Sequence, residues 1–174
     1  AANSKASIIA IEPVAQNYSR MLLNFSANEM NNITSIQAAV SSQNGAKNLH
    51  VPDTPGYMTQ GASFSGFAEG YKKTTVPAIS IDQALKFEKH LPQLVKIDTE
   101  GHEYETLTGM QTLIKKAQPV IFLECNNIDA TNKLNTLKPL LKNYSIFVID
   151  DEQMKLEKTD NFSVLIDESG ELAR

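Results

Sequence analysis

Two carboxylates one residue apart, Asp98 and Glu100, stand where the apolar run Leu94-Val95-Lys96-Ile97 breaks off into Thr99, Gly101, His102 and Glu103. A run that ends this way reads as a buried strand delivering side chains into a strand-to-helix turn. In open α/β sheets, ligands bind in the crevice beyond the carboxyl ends of parallel strands, so groups at such a turn face a ligand. A carboxylate there can take the proton of a reacting hydroxyl, and neighbouring acids raise one another's pKa toward the range that suits a base. His102 beside them is a second candidate base. The competing reading is that Asp98 or Thr99 merely caps the next helix. Two further apolar runs, Ile8 to Ile11 and Val120 to Leu123, also end in acids, Glu12 and Glu124. If these strands are parallel, Glu12, Asp98 and Glu124 lie on one rim. An acid ending a strand of a nucleotide-binding unit can accept both hydroxyl hydrogens of a ribose, and Glu12 fits that role, although an acid there also suits a helix dipole. His50, His90 and His102 have no metal-ligand spacing, so no metal is expected. Oxygen ligation of a magnesium-like ion is the minority alternative.

The elements that must hold these acids follow from periodicity. Val14, Tyr18, Met21, Leu22 and Phe25 recur at helical intervals, and residues 33–40 form another strand. Gln43-Asn44-Gly45 signals a hairpin turn into an antiparallel edge over residues 47–51. From 52 to 73 a long loop alternates Gly56, Gly61, Gly66 and Gly70 with Tyr57, Phe64, Phe67 and Tyr71; such a loop serves as a substrate lid or as a connection pinned by ring contacts. Residues 75–81 are extended, with Pro77 restricting them to an edge, and Asp82 caps a helix over 83–90. A helix spans about 102–116, another carries Leu134, Leu137 and Leu141 around Pro139, and residues 145–149 and 162–166 close the chain as an antiparallel pair. Alternating strands and helices imply a doubly wound, Rossmann-like α/β domain with a mostly parallel sheet. The antiparallel closing hairpin is suggestive of class I methyltransferases.

With 174 residues and 41% hydrophobic content, one domain is expected over residues 1–174. A net charge of -4 and a pI near 5.4 leave no basic footprint for nucleic acid. The single cysteine, Cys125, makes no internal disulfide, and no apolar run reaches the roughly 20 residues that cross a bilayer. A reduced, cytoplasmic setting is the expectation.

Ile11-Glu12-Pro13, Gln37-Ala38-Ala39-Val40-Ser41, Val76-Pro77 through Ile81-Asp82, the Lys-Ile-Asp-x-Glu-Gly-x-Glu run from Lys96 to Glu103, and Leu123-Glu124 occur in an order that resembles the FkbM family of S-adenosylmethionine-dependent methyltransferases. The resemblance covers residues 8–124, and its most specific part is the Lys96 to Glu103 run. It implies S-adenosylmethionine as cofactor and transfer of its methyl group to a hydroxyl of a sugar, polyketide or other small metabolite. It also implies that Glu12, with Pro13, holds the cofactor ribose, that Ala38 and Ala39 pass near the adenine, and that Asp98 sits beside the methionine portion or the reacting hydroxyl. Glu100 and Glu124 would face the acceptor, with His102 nearby.

The chain departs from this pattern at its start. Class I methyltransferases begin with a strand leading into a glycine-rich turn, nothing before Ile8 can be that element, and no G-x-G-x-x-G occurs. The expectation is an amino-terminally incomplete domain whose first strand belongs between the strands at Ile8 and Val95. Two other readings compete: a nicotinamide-dependent Rossmann oxidoreductase, which lacks a Tyr-x-x-x-Lys pair, and a non-catalytic metabolite-binding remnant.

Overall fold

The computed structural model describes residues 6–53, 62–64, 70–125, 128–150, 155–160 and 162. Its organising features are two parallel strand pairs. β1 (Ile8–Ile11) is followed by α1 (Ala15–Ala27) and pairs in register with β2 (Ile33–Ile36), Ile8 opposite Ile33 and Ile11 opposite Ile36. The hydroxyl groups of Tyr18 and Ser35 lie 3.0 Å apart and tie the helix back to β2. Here the extended stretch expected over 33–40 divides. Its second part, β3 (Ala39–Val40), leaves β2 and joins a three-stranded sheet with β4 (Gly45–Pro52) and β5 (Tyr71–Ile79).

The order of that sheet is β3-β5-β4, β5 running parallel to β3 and antiparallel to β4. This corrects two expectations. The Gln43-Asn44-Gly45 turn does not join neighbouring strands, because β5 inserts between them; instead Asn44 Oδ1 accepts the Ser80 N–H. Nor is β5 an edge strand throughout. β3 pairs only with Ala78 and Ile79, so at Pro77, opposite Ala46, β5 has a neighbour only on its β4 side and the missing N–H is tolerated. Val14, Ala39, Leu49, Val51 and Val76 form a small core on this sheet, with Ala62 and Phe64 against it. Gly56, Gly61, Gly66, Tyr57 and Phe67 of the long loop lie outside the described residues.

The second parallel pair is β6 (Leu94–Ile97) with β7 (Val120–Leu123), Leu94 opposite Val120 and Ile97 opposite Leu123. Ile97 is buried, and Val95, Ile121 and Leu123 pack on the larger core around Leu107, Met110, Leu113 and Ile114. The opposite face is open. Leu94, Val120 and Phe122 are 57, 58 and 45% exposed, so the strands expected to be covered on both faces are covered on one among the described residues. Neither β1 nor β6 has a strand on its other edge among these residues, so the two pairs are separate sheets.

The helices between β5 and β7 are shorter than their periodicity suggests. α2 spans only Ile81–Ala84, capped by Ser80, whose Oγ accepts the Gln83 N–H. Asp82 caps a different helix, its two oxygens accepting the N–H groups of Thr112 and Leu113 at the start of α4 (Gln111–Ala117). The expected helix over 102–116 is therefore two, α3 (Glu103–Thr108) and α4, broken at Gly109-Met110. α5 (Ile128–Asn135) ends short of Pro139. β8 (Ile146–Asp150) then pairs antiparallel with β9 (Lys155–Thr159). The pair is antiparallel as expected, but among the described residues it forms a sheet of its own and not the edge of a parallel one, and its second strand is formed by the stretch assigned to a polar turn; of residues 162–166 only Phe162 is described, and it is buried in the larger core.

The glycine at this break has a steric reason. A Cβ added there would stand 2.2 Å from the backbone oxygen of Ser41 and 3.0 Å from its carbonyl carbon, so only glycine lets the end of β3 approach the α3–α4 junction. Gly109→Ala is expected to lower stability by at least roughly 1–3 kcal/mol, the range for forced overpacking, because backbone on both sides must move. The denaturant midpoint checks this: it should fall with the slope unchanged.

Candidate active site

Parallel pairing puts the strand-ending acids where their register dictates. Glu12 follows Ile11 at the carboxyl end of β1, and its amide donates to the Ile36 carbonyl. Its half-buried carboxylate accepts the Val14 N–H through Oε1 at 2.8 Å and a hydrogen bond from the Asn17 side chain. Loss of hydration raises its pKa above the ordinary 4.5, outweighing the two hydrogen bonds that pull it down. Pro13 separates it from Val14, the N-cap of α1, and no acid lies in the first turn of that helix, so Glu12 meets the helix start through the Val14 N–H and Asn17. Ala38 and Ala39 are buried, Ala39 in the smaller core, so their side chains line packed interior.

Asp98 and Glu124 end β6 and β7 side by side, the Glu124 N–H donating to the Ile97 carbonyl. Strand alternation sends Lys96, Asp98 and Glu124 to the open face with Leu94 and Phe122. Lys96 Nζ lies 2.9 Å from Asp98 Oδ2, and its pKa is raised by that hydrogen bond and by the charges of Asp98 and, more weakly, Glu124. The pair is exposed, so it orients Asp98 more than it stabilises the fold. Among the described residues Asp98 caps no helix; the N-cap of α3 is His102, without a side-chain cap. Lys96 is the group of this cluster that the spacing of acids alone does not single out, although its parity with Asp98 carries the signal.

Past Asp98 the chain turns through two left-handed residues, Glu100 at φ 49° and Gly101 at φ 93°. For a non-glycine residue that conformation costs about 1–3 kcal/mol and persists only where surroundings enforce it. Glu103 supplies the enforcement. Its carboxylate, 1% exposed, turns back so that Oε1 accepts both the Gly101 N–H at 3.0 Å and the Thr99 hydroxyl at 3.1 Å. The Ser63 hydroxyl donates to the Glu100 carbonyl at 3.0 Å.

His102 is drawn away from the acids. Its ring is buried, with Nε2 3.1 Å from Ser41 Oγ, Nδ1 3.4 Å from Glu105 Oε2, and the Phe64 ring centroid 4.2 Å from its own. The carboxylate beside Nδ1 selects the tautomer protonated there, so Ser41 donates to Nε2. A serine, histidine and acid in this order can activate a nucleophile, but Ser41 is 0% exposed and no substrate reaches it. Burial lowers the His102 pKa from 6.5, Glu105 partly opposing, and Lys47 and Lys133 adding to the lowering. The structure thus brings Asp98, Glu124 and Lys96 together, joins Glu100 to Ser63 through its backbone, and sets His102 in a packed junction. Glu12 stands on the other strand pair. Among the described residues no three His, Cys, Asp or Glu side chains gather as a metal site, and no helix is long and apolar enough to cross a membrane. Because the folded chain holds His102 neutral while the unfolded chain takes up the proton first, stability should fall as pH drops through 6.5 and level off below the lowered folded value. Thermal melts between pH 7.5 and 5 should show that fall, and His102→Gln should flatten it.

The sequence profile of the methyltransferase FkbM domain matches residues 1–145. No curated protein matches the chain. Among solved structures, methyltransferase FkbM from Methylobacillus flagellatus KT is similar in fold, with a TM-score of 0.52 and 17% identity over 81% of this chain. The match spans 32% of that protein's chain. At that identity the likeness speaks for the α/β architecture with its parallel strands, while the profile match covers most of the sequence, including Glu12, Asp98, Glu124 and the turn beyond Asp98. The chain belongs to the FkbM methyltransferase family.

Proposed function

We propose that this domain is an S-adenosylmethionine-dependent methyltransferase that methylates a hydroxyl of a small metabolite such as a sugar or polyketide. The observation that carries the reading is Glu12: a half-buried, under-hydrated carboxylate at the carboxyl end of a parallel strand, in a chain of this family. Such a group gains most from a ligand that returns two hydroxyl hydrogens to it, which a ribose does. The residues present therefore fit the nucleoside part of the cofactor. Pro13 fixes the backbone beside Glu12, and because the Ala38 and Ala39 side chains are packed inside, a base passing there would meet their backbone.

The cofactor supplies a methyl group on a sulfonium, with the leaving group built in. The protein's work is alignment of the acceptor oxygen, an effect worth up to roughly 7–11 kcal/mol, and removal of its proton. Asp98 and Glu124, adjacent at the ends of β6 and β7, are the carboxylates placed to hold that hydroxyl and accept the proton. With Oδ2 engaged by Lys96, Asp98 would meet the acceptor through Oδ1. His102, packed behind the turn, acts through position. The expected partner is a small molecule rather than nucleic acid, in keeping with the net charge of -4.

Calorimetric titration with S-adenosylmethionine and with a nicotinamide dinucleotide tests the assignment: heat with the first alone supports it, and binding of the dinucleotide alone refutes it. Glu12→Ala should weaken S-adenosylmethionine binding by roughly 1–3 kcal/mol, the scale of a lost charge-assisted hydrogen bond. Binding by the unaltered protein should also weaken on acidification at a pH above the ordinary carboxylate value of 4.5, since the raised Glu12 pKa means protonation begins early. Asp98→Asn should leave cofactor affinity intact and lower kcat roughly 10²–10⁴-fold, the usual contribution of a general base, in a methyl-transfer assay.

A further inference from the structure

Glu103 is a buried ionisable side chain to which the chemistry above gives no role. Its Oε1 is saturated by the Gly101 N–H and the Thr99 hydroxyl, while Oε2 has no hydrogen-bond partner among the described residues. Burying a carboxylate on two neutral donors is costly, and a side chain of similar size without charge would fill the space more cheaply. Something must offset that cost. What the two bonds accomplish is local: they close the Thr99–Gly101 turn around a residue, Glu100, that is a strained occupant of left-handed space.

The consequence of that turn is not confined to the acids. With Glu100 left-handed, its carbonyl receives the Ser63 hydroxyl. Ser63 in turn exchanges backbone hydrogen bonds with His50 of β4, at 2.9 and 3.0 Å, and is followed by Phe64, whose ring lies on His102. A single conformation at Glu100 thus joins the three-stranded sheet, the segment at Ser63 and the helix that begins after His102.

We propose that Glu103 is a positioning residue of the candidate site: its buried carboxylate locks the left-handed turn, and the Glu100 carbonyl so presented is the anchor on which the Ser63-Phe64 segment closes over His102. Glu103 touches no reacting atom in this account. It acts through Glu100, and its influence on turnover rests on the methyl-transfer reading, whereas its influence on the turn does not.

The test uses the whole chain and reads the turn directly. Amide exchange at Gly101 and the ring-proton shifts of His102, which the Phe64 ring perturbs, are followed by NMR in Glu103→Ala, Glu103→Gln and Thr99→Val. In Glu103→Ala, exchange at Gly101 should accelerate at least tenfold relative to Ile114 in the core, and the His102 signals should move toward the values of a free imidazole. Glu103→Gln keeps an oxygen for both donors, so Gly101 should stay within about threefold of the parent and the His102 shifts should be restored. Thr99→Val removes one of the two bonds and should give an intermediate acceleration, which keeps the test decisive if the alanine variant does not fold. Gly101 exchange unchanged in the folded alanine or the valine variant would overturn the proposal, as would a glutamine variant whose Gly101 and His102 behave like those of alanine. In a methyl-transfer assay the alanine form should lose kcat with cofactor affinity kept, and glutamine should recover it. Absence of methyl transfer from every form, parent included, would bear on the functional reading alone, while the exchange and shift data still decide the role of Glu103.

Discussion

The close approach of Ser41 to Gly109 is the constraint on which the rest of the molecule depends. At the end of β3 the Ser41 N–H is donated to Ile79, its hydroxyl meets His102, and its carbonyl occupies the space where a side chain at 109 would be. The Gly109 carbonyl in turn accepts the Asp82 N–H, and the Asp82 carboxylate caps α4. One residue without a Cβ therefore lets the small sheet, the short α2 and the α3–α4 pair meet. The Ser41 hydrogen bonds satisfy polar groups that would otherwise be stranded in the interior, while the Asp82 cap lies nearer the surface.

Much of the architecture was legible because its signals are local. The apolar runs at Ile8, Leu94 and Val120 are strands, their acids fall at the carboxyl ends of parallel pairs, and the order of motifs points to the family that the profile match bears out. What escaped depends on contacts distant in sequence. Nothing between residues 33 and 51 says that β5 will insert between β3 and β4. Asp82 looks like the cap of its own helix because the first amide it caps, that of Thr112, lies 30 residues later. His102 adjoins two acids in sequence, yet tertiary packing turns its ring to Ser41 and Phe64. In the opposite sense, Lys96 and Asp98 were readable as partners from alternation alone.

The two sets of acids differ in what holds them. Glu12 is gripped by hydrogen bonds from its own helix start and is under-hydrated. Asp98 and Glu124 are exposed, Asp98 hydrogen-bonded to Lys96 and Glu124 close enough to act on the same lysine through its charge. Burial thus gives strand-ending acids on two separate sheets different surroundings.

The two cores carry a consequence for how the site comes into being. The smaller draws its buried residues from Val14 to Val76 and the larger from Leu85 to Phe162, so each is nearly contiguous in the chain. Ile9 of β1 also packs on the larger core, so the two are not independent units. The Ser63–Glu100, Phe64–His102 and Ser41–Gly109 contacts join the stretches that carry the two cores, Ser63 and Glu100 standing 37 positions apart. The Ser63 brace on the left-handed turn therefore carries the entropy cost of ordering the long stretch of chain that runs between its ends.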